Sequence, residues 1–219
     1  DRRQRQMCIR DSNGINATAD FFEVCGGTEL LSQVCRSEQL TVLPGATLHP
    51  VDQNVPGYDL TDPAHVRLVR KTIRDQRPFH THLSPVCRPF SQAYHPRGDE
   101  ESDPNYLHDI TLAENIIELA HLIHQQGLHG CIEVPKGAHR FWKLERVVEL
   151  KRLPGWFVID LDGCMSGMKH PMTGNPVKKS WRFLTNAWYL TPIGVCCDGS
   201  HVHTPVSYTH LRAHETVAN

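Results

Sequence analysis

Cys87 lies in the stretch HLSPVCRPFS, residues 82–91, between Pro85 and Pro89 and beside Arg88. Proline fixes φ and disfavours helix, so this thiol is expected on a rigid loop following a strand. A neighbouring guanidinium would lower its pKa, and the loop would fix its direction of attack, as a nucleophile requires. The alternative is a packed structural cysteine. Glu133, in CIEVPKG (residues 131–137), places a carboxylate at the end of another strand, next to a basic stretch. Gly26 and Gly27 follow the apolar run of DFFEVCGGTELL, residues 20–31. Small residues there let a backbone approach a ligand, and the next helix N-terminus favours polar or anionic groups; a plain turn has the same composition. Asp52 comes 25 residues after Gly27, where nucleotide-type folds hold a ribose, although a turn residue beside Gln53 would read alike. Asp59 is a further binding candidate, or a cap preceding Asp62. Cys196, Cys197, His201 and His203 cluster near the end. Thiolates and imidazoles suit zinc, but adjacent cysteines rarely reach one ion and no C-x-x-C accompanies them. His80 and His82 alternate and should share one half-exposed strand face.

These residues need elements to position them. Apolar runs at 20–24, 48–51, 79–83, 130–134, 156–161 and 183–186 predict strands. Leu30, Leu31 and Val34 have helical spacing over residues 28–36. Asp62 and Pro63 form a cap and first-position pair, and Pro78 ends that helix. Leu112, Ile116, Leu119, Ala120 and Ile123 line one face of a helix over 110–126, with Gly127 beyond its end. Another helix is expected over 140–152. Residues 95–106 and 165–180 read as Pro/Gly-rich loops. Strand–helix alternation implies an α/β fold with a mostly parallel sheet, ligands sitting beyond the carboxyl ends of its strands. The segments to inspect are therefore 25–28, 52, 59, 84–91, 133–135 and 160–164.

With 39% hydrophobic and 21% charged residues, the 219-residue chain is neither disordered nor membrane-like in composition. No apolar run reaches bilayer length, so no membrane partner is expected. Eight irregularly spaced cysteines argue against a secreted disulfide framework and for a reducing, intracellular location, nuclear or cytoplasmic. Residues 1–12 and 206–219 resemble translated sequencing adapters; the expected domain is 13–205, a fragment of something longer. Charge divides unevenly: net −8 over residues 13–135, net +6 over 136–182. That asymmetry suits a polyanion face on the later half, or a solvated lysine-rich helix.

Taken in order, these motifs resemble the cytosine-5 DNA methyltransferases, with features of their divergent phage and retroelement members. Asp20, Phe22, Gly26 and Gly27 match the opening Asp-Leu-Phe-x-Gly-x-Gly-Gly. Cys87, Phe90 and Ser91 match the Pro-Cys-Gln-x-Phe-Ser loop, and Glu133 the Glu-Asn-Pro or Glu-Asn-Val motif. The run DGCMSGMKHPMTGNPVKKSWRFLTN and the terminal CCDGSHVH also look like these members. The likeness spans residues 20–203. It implies a Rossmann-like class I methyltransferase fold, a mostly parallel sheet with helices on both faces, and S-adenosyl-L-methionine as cofactor. It implies that Cys87 adds to the base, assisted by Glu133 and Arg88. Phe22, Cys25, Gly26, Gly27, Asp52, Asp59 and Pro85 would hold the cofactor. Ser91, Lys136, Arg140, Lys178, Lys179 and Arg182 would contact DNA whose cytosine is flipped from the duplex. Val134, Arg88 and Val86 depart from the family's Asn, Gln and Pro. No Gln-x-Arg-x-Arg occurs near 160–167, and there is no room for a large target-recognition domain. Two alternatives are a non-catalytic nucleic-acid-binding remnant of a mobile-element polyprotein and a Cys/His zinc module. The H-x-E and P-C-x-x-C strings of zinc deaminases are absent.

Overall fold

The computed structural model describes residues 17–25, 29–44, 59–91 and 103–204. Five strands form one sheet: β1 (Phe21–Val24), β2 (His80–Leu83), β3 (His129–Pro135), β4 (Phe157–Asp162) and β5 (Ser180–Thr185). Their spatial order is β1-β2-β3-β5-β4. The first three strands pair in parallel, and β5 lies antiparallel between β3 and β4. β4 therefore runs with β1–β3, and the sheet is mostly parallel. The helices are α1 (Leu30–Ser37), α2 (Pro63–Gln76), α3 (Pro104–Gln125) and α4 (Glu145–Arg152). This is a Rossmann-like α/β fold.

Alternation along the strands assigns side chains to two faces. Phe22, Val24, Leu83, Ile132, Val134 and Leu184 point toward α2, α3 and α4 and form the main core with them. All five apolar residues expected on the α3 stripe are buried. Gly130 lies under that helix; a Cβ on it would stand 3.0 Å from Ile123 Cγ2. Phe21, Glu23, His80, His82, Cys131, Glu133 and Phe183 lie on the opposite face. The short α1 covers part of that face, so helices occupy both sides. A cavity of about 470 Å³ remains there, bounded by the strands, Leu31 of α1, and Tyr189, Leu190 and Ile193 beyond β5.

Several boundaries differ from expectation. Asp103 accepts the Asn105 N–H and Pro104 takes the first turn, so α3 begins within the expected acidic loop. The same Asp–Pro device starts α2, where Asp62 accepts the Ala64 N–H. The expected 140–152 helix divides, because Leu144 is extended (ψ 135°) between a 3-10 turn at Phe141–Lys143 and α4. Leu30, Leu31 and Val34 of α1 are exposed, not buried. The inward residue is Ser32, whose N–H donates to Glu23 Oε2 at 2.9 Å. The strand expected at 48–51 lies outside the described residues, while Val42 makes an isolated parallel bridge to Phe21.

Candidate active site at the carboxyl edge of the sheet

Parallel βα units bring the residues after β1, β2 and β3 to one edge. The loop after β2 begins with Ser84, whose N–H donates to Val24 O. Cys87 follows at the entrance to a 3-10 turn, Arg88–Phe90. Phe90 anchors that turn by burying its ring edge-on against Phe141, centroids 5.3 Å apart. Pro85 helps shape the segment between strand and turn, and the Ser91 N–H closes the turn on Arg88 O. Burial pushes the Cys87 thiol above its ordinary pKa; nearby Lys179 opposes this, while Asp109 and Glu133 add to it. The expected lowering by Arg88 is not found. Arg88 turns away to the buried Asp109 of α3, with Nε and Nη2 at 2.8 and 2.7 Å from Oδ2.

Glu133 meets an unexpected partner. His82 Nε2 lies 3.0 Å from Glu133 Oε2, from the adjacent strand. Burial disfavours a charged His82, yet hydrogen bonds to Cys131 and Glu133 and their negative charge prevail, raising its pKa to about 10. Two residues earlier the opposite holds. Burial depresses His80 to about 3, and its Nδ1 lies 2.7 Å from the Tyr189 hydroxyl. Both histidines are buried rather than half-exposed, because the chain after β5 folds back over this face. Cys131 and Tyr189 belong to the same polar group, which sequence reasoning did not assemble.

The expected cofactor residues separate. Phe22 is 2% exposed in the helix-side core, packing where a strand residue of that parity must, so it does not line the edge. Cys25 ends β1 with φ 65°, and Glu29 resumes the chain with φ 53°. Non-glycine residues seldom adopt left-handed backbone, yet both of these do. Gly26, Gly27 and Asp52 lie outside the described residues. Asp59 Oδ1 accepts both the N–H and the hydroxyl of Thr61, at 2.9 and 2.7 Å. His108 Nε2 lies 3.7 Å away, bringing the starts of α2 and α3 together.

No protein-family model matches the sequence, and comparison with curated proteins finds no relative. Solved structures do align. The Dnmt2 methyltransferase of S. pombe superposes with TM-score 0.48 and 13% identity, covering 83% of this chain and 56% of its own. The Entamoeba histolytica methyltransferase EhMeth gives 0.46 and 15%, covering 78% and 53%. A SAM-dependent methyltransferase from Archaeoglobus fulgidus gives 0.41 and 10%, covering 84% and 94%. The chain thus spans little more than half the length of the first two.

The expected nucleic-acid contacts surround the same edge, and several are already paired. Arg182 grips Asp160 through two bonds, Nε–Oδ1 at 2.7 Å and Nη2–Oδ2 at 2.9 Å. Lys136 reaches the same carboxylate at 2.9 Å. Those hydrogen bonds, led by Arg182, outweigh burial and hold Asp160 at about 2. Arg140 approaches the Tyr106 hydroxyl at 3.2 Å, and Lys178 lies 3.8 Å from Asp162. Lys179 sits over the Trp181 ring, 4.8 Å from its centroid.

The terminal Cys/His group also differs from expectation. Cys197, His201 and His203 come together, but the fourth member is Cys164, not Cys196. Cys196 points away and approaches Asp160 O at 3.7 Å. Neighbouring cysteines cannot both face one point on an extended chain; Cys164 arrives from the turn after β4. It stood among the strand-end residues worth inspecting, but nothing in its spacing joined it to residues over thirty positions later. Among the described residues, no helix is long and apolar enough to cross a membrane.

Proposed function

We propose that the chain is an S-adenosyl-L-methionine-dependent methyltransferase domain acting on cytosine in DNA, with Cys87 as nucleophile. The observation that carries this reading is the convergence of Cys87, after β2, with Glu133, at the end of β3. Cys87 follows β2 and Glu133 lies near the end of the parallel neighbour β3, so both belong to the same edge of the sheet. The motifs in register along the sequence support the same reading.

Cys25 and Glu29, both left-handed, stand in the sequence on either side of Gly26 and Gly27, residues small enough for a ligand to meet backbone. Those glycines, with Asp52, Asp59 and Pro85, would hold the cofactor. When bound, S-adenosyl-L-methionine supplies an electrophilic methyl group. The protein's task is to make C5 of cytosine nucleophilic. The Cys87 thiol gives up its proton to solvent, and its sulfur adds to C6, placing electron density on C5. Glu133, taking a proton from His82, would donate it to N3 and so neutralise the charge that addition creates. After C5 is methylated it loses its proton, and the electron pair of the C5–H bond expels the Cys87 thiolate. Arg88 would act through the loop it braces against Asp109. Ser91, Arg140, Lys178 and Lys179 would meet phosphate, with Lys136 and Arg182 exchanging Asp160 for it. The base must leave the duplex to reach Cys87.

Calorimetric titration with S-adenosylhomocysteine tests the cofactor pocket, with Asp59→Ala beside it. Binding that the substitution weakens supports the reading. A 5-fluorocytosine duplex should then trap a covalent adduct on Cys87 that Cys87→Ser does not form. A folded chain that binds no S-adenosylhomocysteine would leave at most a nucleic-acid-binding remnant.

A further inference from the structure

We propose that Cys164, Cys197, His201 and His203 form a zinc site that fastens the segment after β5 to the end of β4. Their ligand atoms all lie within 4.8 Å of one another. Cys197 Sγ stands 3.7 Å from His201 Nε2 and 3.4 Å from His203 Nε2. In a tetrahedral zinc centre with ordinary Zn–S and Zn–N bonds, the S···N edge is about 3.6 Å. The two observed edges bracket that length. The rings of His201 and His203 meet edge-on, centroids 4.6 Å apart, both presented to the same sulfur.

The surroundings are also those of a metal centre. The Gly199 N–H points at Cys197 Sγ, 3.3 Å away, in a turn that Gly199 permits with φ 79°. Such a donor stabilises a thiolate ligand. The Cys197 N–H donates to the buried Asp162 at 2.8 Å, fixing the cysteine against the last residue of β4. The Thr204 N–H donates to Pro176 O and ties down the far end.

The segment needs such a fastening. From Gly194 to Thr204 it contains neither helix nor strand, and it leaves Val195 and Val202 exposed. Little apolar burial therefore offsets the entropy of ordering it. Two thiolates and two imidazoles are a soft, borderline set that selects zinc over magnesium or calcium. Four protein ligands leave no open position, which makes the role structural. Binding forms two Zn–S and two Zn–N bonds and releases the two thiol protons.

The test uses the full chain without an affinity tag, grown with zinc. Elemental analysis should find one zinc per chain. Cys164→Ser and His203→Asn should each lower this toward zero, while Cys196→Ser keeps it. Replacement by Co(II) should give the visible absorption of a tetrahedral ion with thiolate ligands, and this spectrum decides the matter if a substituted chain fails to fold. A folded chain with neither zinc nor the cobalt spectrum would overturn the proposal. So would loss of metal in Cys196→Ser with retention in Cys164→Ser, or a Cys164–Cys197 disulfide in protein purified under reducing conditions.

Discussion

His82 on β2 and Glu133 on β3 hold one another across a parallel strand pair, Nε2 to Oε2 at 3.0 Å, two register positions apart. The contact makes an ion pair of a histidine that burial alone would keep neutral. Its folded pKa of about 10 lies above the ordinary 6.5. The sign follows: stability from this group is complete below pH 6.5 and is lost as pH climbs through 10. Melting temperature should therefore fall between about pH 6.5 and 10, by this linkage. Glu133→Gln should melt lower near pH 7 and lose that alkaline decline.

Arg88 should prove a bracing residue. Its partner Asp109 is buried, and truncation would strand that carboxylate. Arg88→Ala should cost about 2 kcal/mol in urea unfolding, the scale of a hydrogen bond to a charged group. If Arg88 instead acted directly on the base, the substitution would lower turnover and leave stability unchanged.

The Cys87 thiol is held above its ordinary pKa, with burial the leading cause. Only the thiolate attacks, so the rate of adduct formation with a 5-fluorocytosine duplex should rise steadily from pH 7 into the alkaline range. A rate independent of pH over that range would mean that deprotonation does not limit the step.

Asp160 restrains two cations at the edge, Lys136 and Arg182. Asp160→Asn should release them to phosphate. DNA affinity at low salt should increase, and the slope of log affinity against log salt should steepen by about 0.9 for each further phosphate neutralised. Filter binding across a salt series would read both. An unchanged slope would place these cations off the binding path.

The first four strands of the sheet, α2 and the buried stripe of α3 were legible because period and capping chemistry are local, while β5 begins at Ser180, three residues before its apolar run. Asp62–Pro63 announced its helix, whereas Asp103–Pro104 was hidden by the acidic, Pro-rich residues before it. The apolar residues of α1 misled, since their spacing is helical but Ser32 faces the sheet. Cys87 and Glu133 could be picked out from position alone. Spatial partners could not: Asp109 beside Arg88, His82 beside Glu133 and Cys164 beside Cys197 reach their places only through pairing and crossover. Neighbour-in-sequence reasoning failed for the same cause at Arg88 and Cys196, where the adjacent residue points elsewhere.

The placement of β5 bears on how the chain acquires its structure during synthesis. Of the five described strands, the last to leave the ribosome is the one that joins β3 to β4. Until residues 180–185 emerge, β3 and β4 each present a bare edge, with no backbone ladder to join the strand before Cys164 to those beside Cys87. Translation that stops short of Ser180 should therefore release a chain whose β3 and β4 edges stay unpaired and open to adhesion by other strands.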